Sequence, residues 1–176
     1  SSDLALAGRD VVRLKGGDPF IFGRGGEEMD LLLQHRIPVE IVPGITAALG
    51  AAASFGFPLT HRDHAQSCVF VTGHLKDRTV ELNWQALAQP RQTVVIYMGV
   101  TGLETIASEL QSAGLPGDTP AALVYKATWP QEAIYPTRLC DLPSTAERHG
   151  VKPPSLLVIG SVVSLAQAWS IRSHPS

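Results

Sequence analysis

The chain has 176 residues, of which 44% are hydrophobic and 17% are charged, as expected for a globular protein that buries a core. Its formal net charge of −2 does not indicate nucleic-acid binding, and no uncharged apolar stretch is long enough to cross a bilayer. Cys68 and Cys140 lack CxxC spacing, so we predict reduced thiols rather than a disulfide framework or a zinc ribbon.

The first residues predict the end of a helix. Leu4 and Leu6 are apolar and Gly8 follows them, which is typical of a left-handed helix stop. The chain has no initiator Met, and its start lacks the pattern of a signal peptide. We therefore expect the chain to begin partway through a larger protein.

The next segment predicts a β-loop-α-β-loop-α order. Val11–Leu14 and Val39–Val42 are short β-prone runs, each followed by a glycine-containing loop. Between them, apolar residues at helical spacing predict a helix over Glu27–Arg36, which Pro38 ends. A helix of small residues is predicted over Thr46–Ser54. This alternation is typical of a parallel sheet with right-handed crossovers.

The rest of the chain predicts a second α/β domain with a mixed sheet. The polar segment Pro58–Gln66 marks the boundary, so we predict domains at 1–60, which includes a connecting helix, and at 61–176. Alternation over Glu132–Leu139 predicts an antiparallel partner strand. The other predicted strands are Cys68–Thr72, Thr93–Met98, Ala121–Tyr125 and Ser155–Ile159, and the predicted helices are Trp84–Ala88, Leu103–Ala113, Ser144–His149 and Ser164–Trp169.

Small residues follow most of the predicted strands. In open α/β sheets, ligands bind outside the carboxyl ends of the strands, where a backbone without Cβ atoms can approach them closely. A single glycine there is more often an ordinary turn residue, but the recurrence favours a cofactor groove. The small residues at predicted strand ends are Gly16, Gly17, Gly44, Gly73, Gly99, Ala127 and Gly160.

The loop after the first predicted strand is the most specific of these. Gly16 and Gly17 can expose backbone groups to a ligand, and Asp18 can accept hydrogen bonds from a ribose or an ammonium group or can cap its own turn. No GK[ST] follows and no GxGxxG is present, so neither a P-loop nor a nicotinamide site is indicated. Thr46, at a helix start, is either an N-cap or part of an anion site.

A second polar cluster is the segment THRDH. His61, Asp63 and His64 lack the further spaced ligands that a zinc site requires, so a solvated loop is the favoured interpretation and no metal is predicted. The alternative is that Arg62 and the histidines bind substrate carboxylates. Further basic residues lie near predicted strand ends and can form a patch for an acidic small molecule: Arg13, Lys15, Arg24, His74, Lys76 and Arg78.

Three stretches carry a resemblance to a known family: VVRLKGGDPFIFGRGGEE, VEIVPGITAALGAAASFGFPLTHRDHA and VTGHLK. They resemble uroporphyrinogen-III C-methyltransferases, the S-adenosyl-L-methionine-dependent tetrapyrrole methylases that also form the C-terminal module of sirohaem synthase. The resemblance covers most of residues 4–170. It implies an α/β tetrapyrrole methylase fold with the cofactor between two α/β domains, in a cytoplasmic homodimer that acts on an acidic tetrapyrrole, without nucleic-acid or membrane partners.

The resemblance also implies site residues. The implied substrate carries many carboxylates, which suits a basic patch of Arg13, Arg24, Arg62 and His64, and we expect these residues to bind it. At Ala127 the family usually has Gly, and the stretch ALVYKATWP is more similar to precorrin-4 C11-methyltransferases. The family's proton-transfer residues lie upstream of Ser1, so the first domain is expected to be truncated and the catalytic residues stay unassigned. The positions for the cofactor correspond to Gly16, Gly17, Asp18, Ile21, Thr46, Ala47, Met98 and Ala127.

The implied reaction is the C-methylation of uroporphyrinogen III to precorrin-2 in sirohaem and cobalamin biosynthesis. A pyrrole carbon attacks the activated methyl group, so the protein mainly supplies alignment, and a base then removes the ring proton. Two alternatives stay open at this point. One is another methylase of this fold, acting on a precorrin or a protein side chain, and the other is a non-catalytic fragment that lacks the front half of the active site.

Overall fold

The computed structural model describes residues 2–73 and 82–169. Its contacts divide the chain into two compact units, 1–47 and 48–176. The domains predicted at 1–60 and 61–176 stay a prediction, because a division by contacts does not establish folding domains. The truncation of the first domain likewise stays a prediction.

The first unit contains helices α1 (Ser2–Leu6) and α2 (Gly25–Gln34). Gly8 follows α1 at φ 76°, which confirms the left-handed helix stop. Helix α2 ends before the predicted Arg36, which adopts φ 56°. The amide of Ile37 then donates to the carbonyl of Leu32 at 3.1 Å, as in a Schellman motif.

The parallel sheet predicted for the first part of the chain is wrong for the described residues. Val11–Leu14 and Val39–Val42 are irregular, and the first strand begins only at Ser67. Val12 and Leu14 are 89% and 85% exposed. A β-prone run becomes a strand only when a neighbouring strand supplies hydrogen-bond partners, and the described residues of this unit supply none. Gly16, Gly17 and Gly44 therefore follow irregular segments rather than strands.

The second unit is built on the mixed sheet that the sequence predicts. The strand order is β1-β2-β5-β3-β4. β1 and β2 are parallel, and β5 runs antiparallel to both β2 and β3. The antiparallel partner predicted from alternation is confirmed as β4, which pairs with β3. The strands are β1 (Ser67–Thr72), β2 (Gln92–Tyr97), β3 (Pro120–Tyr125), β4 (Ala133–Arg138) and β5 (Ser155–Ile159).

The predicted helices of this unit are confirmed, with small shifts at their ends. One of them, Leu142–His149, ends at Gly150, which adopts φ 60° in a left-handed turn. In the part of the chain that the structure describes, no helix has the length and apolar character that crossing a membrane requires. The helices are α3 (Ala47–Phe55, which begins on the last residue of the first unit), α4 (Trp84–Leu87), α5 (Leu103–Ser112), α6 (Leu142–His149) and α7 (Val163–Trp169).

Helices cover both faces of the sheet. Successive residues of a strand point to opposite faces, so Ile96 belongs to the same buried cluster as Ile106 of α5, while Val95 belongs to the cluster that contains Ala51 of α3. All four side chains are fully buried. Burial of one such aliphatic side chain contributes about 1.5–3 kcal/mol, so the two layers fix the sheet and the loops at its ends.

The strand directions decide which loops lie together. β1, β2 and β3 point the same way, because β5 runs antiparallel to both β2 and β3. Gly73, Gly99 and Ala127, which follow these three strands, therefore lie at one edge of the sheet. Gly160 follows β5 and lies at the opposite edge, where a Cβ would be 3.0 Å from the carbonyl oxygen of Gln92. Its predicted place in the same groove is wrong, because the groove prediction assumed a common strand direction.

Candidate functional site

At the carboxyl edge of the sheet, the ends of β1 and β2 touch through their backbones. The Gly73 amide donates to the Tyr97 carbonyl at 2.7 Å. A Cβ on Gly73 would lie 2.6 Å from the Cα of Gly99, and a Cβ on Gly99 would lie 2.9 Å from Cγ2 of Ile96. Packing within the protein therefore explains the lack of side chains at both positions, whether or not a ligand binds beside them.

Two of the loops at this edge contain non-glycine residues in the left-handed region. Met98 has φ 54° and is half-exposed, and Lys126 and Thr128 have φ 45° and φ 72°. Such residues are uncommon and concentrate at functional sites. Ala127 lies between the last two and packs against the apolar cluster that includes Ala51. The structure thus brings Met98 and Ala127 to one edge of the sheet.

Tyr97 holds the start of helix α3 in the second unit. Its hydroxyl accepts a hydrogen bond from the Ala48 amide at 3.0 Å, in a buried position. The sequence gives no sign of this bond, since the two residues are 49 positions apart. The bond occupies one of the amide groups that a helix start can offer to an anion. Thr46 is buried, with 5% of its surface exposed.

In the first unit, Asp18 joins two glycine-containing turns. One carboxylate oxygen accepts a hydrogen bond from the Gly44 amide at 3.0 Å, and the other accepts one from the Phe20 amide at 2.8 Å. These two N–H groups, that of Gly44 first, hold the pKa of Asp18 below its ordinary value. Asp18 therefore caps its own turn, as one interpretation of the sequence predicts, and also ties that turn to the segment before α3.

The three glycines of these turns differ in what surrounds them. A Cβ on Gly44 would overlap the carbonyl oxygen of Gly17, and a Cβ on Gly17, at φ 77°, would lie 3.6 Å from the Ile45 carbonyl oxygen. A Cβ on Gly16 would meet no described atom within 4 Å. Only Gly16 thus leaves an open backbone surface that packing does not require. Ile21 is 37% exposed.

Glutamates at the start of α2 pair with three cations of the first unit. Glu28 accepts hydrogen bonds from Lys15 at 2.9 Å and from Arg13 at 3.2 Å, and these cations, Lys15 first, lower its pKa. Arg24 pairs with Glu27 at 2.6 Å. Arg13 and Arg24 are both exposed, with 63% and 78% of their side chains accessible, so an acidic ligand can compete for them.

The THRDH loop lies at the other edge of the sheet of the second unit. Ser161, which follows β5, donates to the His64 carbonyl at 3.1 Å, and the guanidinium of Arg91 donates to the carbonyl of Arg62. His64 and Arg91 line a cavity of about 320 Å³ beside the start of β2. The structure therefore does not bring Arg62 and His64 together with Met98 and Ala127. The predicted cations His74, Lys76 and Arg78 lie outside the described residues.

Cys68 and the THRDH loop lack the properties of a reactive thiol and of a metal site. Burial raises the pKa of Cys68 to about 11, so its thiol stays protonated near neutral pH. His61 accepts a hydrogen bond at Nδ1 from the Asp63 amide at 3.1 Å, within its own loop. Residues 2–73 and 82–169 contain no group of three or more His, Cys, Asp or Glu placed to hold a metal ion.

The lowered pKa of Asp18 predicts an acid-sensitive contact. Its folded-state pKa lies below the ordinary 3.8, so its contribution to stability is complete above that pH and is lost as the pH falls through the folded-state value. We expect Asp18→Asn to lower the melting temperature at neutral pH and to converge with the parent protein in acid. Thermal melts across pH 2–7 check this, with Asp30→Asn, an exposed carboxylate on α2, as control. A constant difference at all pH values would contradict it.

Comparison with known proteins gives two kinds of sequence match. The family model for Tetrapyrrole (Corrin/Porphyrin) Methylases matches residues 2–143. Siroheme synthase from Nitrosomonas eutropha is 55% identical over 168 residues, which are 94% of this chain and 35% of that protein. The chain therefore spans only about a third of the length of the curated relatives that it matches.

Solved structures are also similar. Uroporphyrin-III C-methyl transferase from Thermus thermophilus, complexed with S-adenyl homocysteine, has a TM-score of 0.79 and 40% identity, covering 93% of this chain and 71% of that chain. A cobalt precorrin-4 methyltransferase involved in cobalamin biosynthesis has a TM-score of 0.83 and 31% identity, covering 92% of this chain and 68% of that chain.

Proposed function

Because the chain belongs to the tetrapyrrole (corrin/porphyrin) methylases, we propose that it binds S-adenosyl-L-methionine and methylates a ring carbon of uroporphyrinogen III, toward precorrin-2. The observation that carries this proposal is the 40% identity to a uroporphyrin-III C-methyl transferase over 71% of that chain. That relative was crystallised with the demethylated form of the cofactor, which supports the choice of cofactor.

We assign the cofactor contacts to the residues that the sequence suggests. The open backbone at Gly16 can lie flat against a ligand, and Ile21, five residues later in the same loop region, offers an exposed apolar side chain. Asp18 holds the turn through the amides of Phe20 and Gly44, and these hydrogen bonds lower its pKa. The full set of proposed cofactor residues is Gly16, Gly17, Asp18, Ile21, Thr46, Ala47, Met98 and Ala127.

When bound, the cofactor supplies an activated sulfonium methyl group that a substrate ring carbon attacks. The task of the chain is therefore to hold donor and acceptor in line at about 3–3.5 Å, which is worth more than any single acid or base. Turns held by close backbone contacts, such as that of Gly17 with Gly44, suit this task because they fix the positions of the backbone groups before a ligand binds. The acid and base that move the ring proton stay unassigned.

The substrate is a polycarboxylate, and we propose that exposed arginines bind it. Arg13 and Arg24 belong to the same unit as the Gly16–Asp18 turn, and both are accessible while paired with glutamates. A role in substrate binding has less support for Arg62 and His64, because these residues lie at the opposite edge of their sheet from Met98 and Ala127. We also propose that the protein is a cytoplasmic homodimer. Light scattering, which measures the mass of the particle in solution, tests the dimer.

Replacing Arg24 tests the substrate contact. We expect Arg24→Ala to raise the KM for uroporphyrinogen III about fivefold with kcat nearly unchanged, because the contact is made equally in ground and transition states. The matched control is Arg138→Ala, since Arg138 pairs with Asp141 at 2.9 Å with the same three-residue spacing. Steady-state kinetics measure both. An unchanged KM for Arg24→Ala, or an equal rise for Arg138→Ala, would rule out Arg24 as a specific substrate ligand.

The cobalt precorrin-4 methyltransferase gives a second candidate substrate, a precorrin. Its TM-score is 0.83, and the Ala127 stretch of this chain is similar to such enzymes, but its identity is 31% against 40% for the uroporphyrin-III enzyme. Incubation with methyl-labelled cofactor and either uroporphyrinogen III or cobalt-precorrin-4 decides between them. Label in the first product supports the proposal, and label only in the second replaces it. Cofactor binding without label in either product supports a non-catalytic role.

A further inference from the structure

The turn after β3 has an unfavourable backbone conformation that needs support. Lys126 and Thr128 adopt φ 45° and φ 72°, in the region that glycine occupies without cost. A β-branched residue such as threonine is a true outlier there, and it persists only when surrounding contacts hold it. The turn connects β3, whose end is Tyr125, with β4, which begins at Ala133.

Glu132 supplies such a contact. Its Oε2 accepts hydrogen bonds from the Thr128 amide at 2.6 Å and from the Ser54 hydroxyl of α3. Its own amide donates to the Trp129 carbonyl at 2.9 Å, and the Trp129 amide donates to the Lys126 carbonyl at 3.0 Å. One carboxylate oxygen thus joins the turn to a helix that lies 78 residues away along the chain.

Helix α3 has small residues where the turn meets it. A Cβ on Gly50 would lie 3.7 Å from Cγ2 of Thr128, and Ala127 packs in the same cluster as Ala48 and Ala51. The turn can therefore rest directly on the helix. The Glu132 carboxylate fixes the position of the turn on the helix, because it accepts hydrogen bonds from Thr128 in the turn and from Ser54 in the helix.

We propose that Glu132 is a positioning residue: it holds the turn of Lys126, Ala127 and Thr128 in its left-handed conformation and so presents Ala127 to the methyl donor. This inference rests on the proposed function, in which Ala127 contacts S-adenosyl-L-methionine. The carboxylate acts through the turn and does not itself touch the cofactor.

Calorimetric titration of the whole 176-residue chain with S-adenosyl-homocysteine tests the inference. Glu132→Ala is expected to weaken binding about tenfold, since the turn then relaxes away from the bound conformation and the binding-competent fraction falls. Glu132→Gln is expected to stay within about threefold of the parent, because its amide oxygen can accept the same two hydrogen bonds. Glu109→Ala, an exposed glutamate on α5, is the matched control and should bind as the parent does.

A rescue separates positioning from general stability. Adding Thr128→Gly to Glu132→Ala should restore part of the lost affinity, because glycine adopts the required φ without strain. Equal affinities of the parent and Glu132→Ala, measured well below both melting temperatures, would overturn the inference. If Glu132→Ala does not fold, Ser54→Ala, which removes one of the two bonds, carries the test: a loss of about threefold supports the inference and an unchanged affinity overturns it.

The same titrations distinguish this failure from failure of the proposed function. If the parent protein does not bind S-adenosyl-homocysteine, both the proposed function and the inference are wrong. If the parent binds and the Glu132 variants bind equally well, the proposed cofactor binding stands and only the inference fails.

Discussion

Gly44→Ala is expected to lower the affinity for S-adenosyl-homocysteine by roughly a hundredfold, from an overpacking cost of up to about 3 kcal/mol. The new Cβ would overlap the carbonyl oxygen of Gly17, a backbone atom that no side-chain rotation can move away. The two turns would have to separate, and Asp18 would lose the hydrogen bond from the Gly44 amide, the largest cause of its lowered pKa. Calorimetric titration at neutral pH measures the affinity directly.

The chain offers a matched control for this substitution. Gly26 lies in α2, and a Cβ there would meet no described atom within 4 Å. Gly26→Ala should keep the parent affinity and gain about 0.5–1 kcal/mol of stability, because alanine is the better helix former. If Gly44→Ala bound as tightly as Gly26→Ala, the contact between the Gly17 and Gly44 turns would have no part in cofactor binding.

Local patterns were sufficient to predict the second unit. Alternation over Glu132–Leu139 gave strand β4, and the apolar run Ser155–Ile159 gave the bounds of β5 without error. These predictions are confirmed because each segment finds its partners within the described chain, so its pattern matches its environment. Similarity to known methylases confirms the predicted α/β methylase fold.

The same kind of pattern was misleading in the first unit. Val11–Leu14 has the β-prone residues of a buried strand, yet Val12 and Leu14 are almost fully exposed. Propensity describes what a segment favours, whereas a strand also needs a neighbour on at least one side. A sequence read one segment at a time does not contain that information.

The candidate site was predictable only in part, because a glycine in a sequence does not reveal why it is there. Gly73 and Gly44 are required by backbone contacts, and Gly160 lies at the wrong edge because β5 runs antiparallel. Strand direction and such long-range contacts depend on the whole topology. The Glu132 contact to Ser54 belongs to the same class, since its partners are 78 residues apart.

Gly16 is the residue at which packing and ligand binding can be separated. Its backbone is not in the left-handed region, and a Cβ there would meet no described atom within 4 Å. Gly16→Ala should therefore leave the melting temperature within about 2 °C of the parent, as for surface substitutions that disturb no contact. If a cofactor lies against this backbone, the added methyl group intrudes on it and should weaken binding about tenfold or more.

The most direct measurement is thus a titration of Gly16→Ala with S-adenosyl-homocysteine, paired with a thermal melt of the same sample. A cofactor seated on the open Gly16 backbone requires a large loss of affinity at unchanged stability. Full affinity in a stably folded Gly16→Ala protein would show that the methyl donor binds elsewhere.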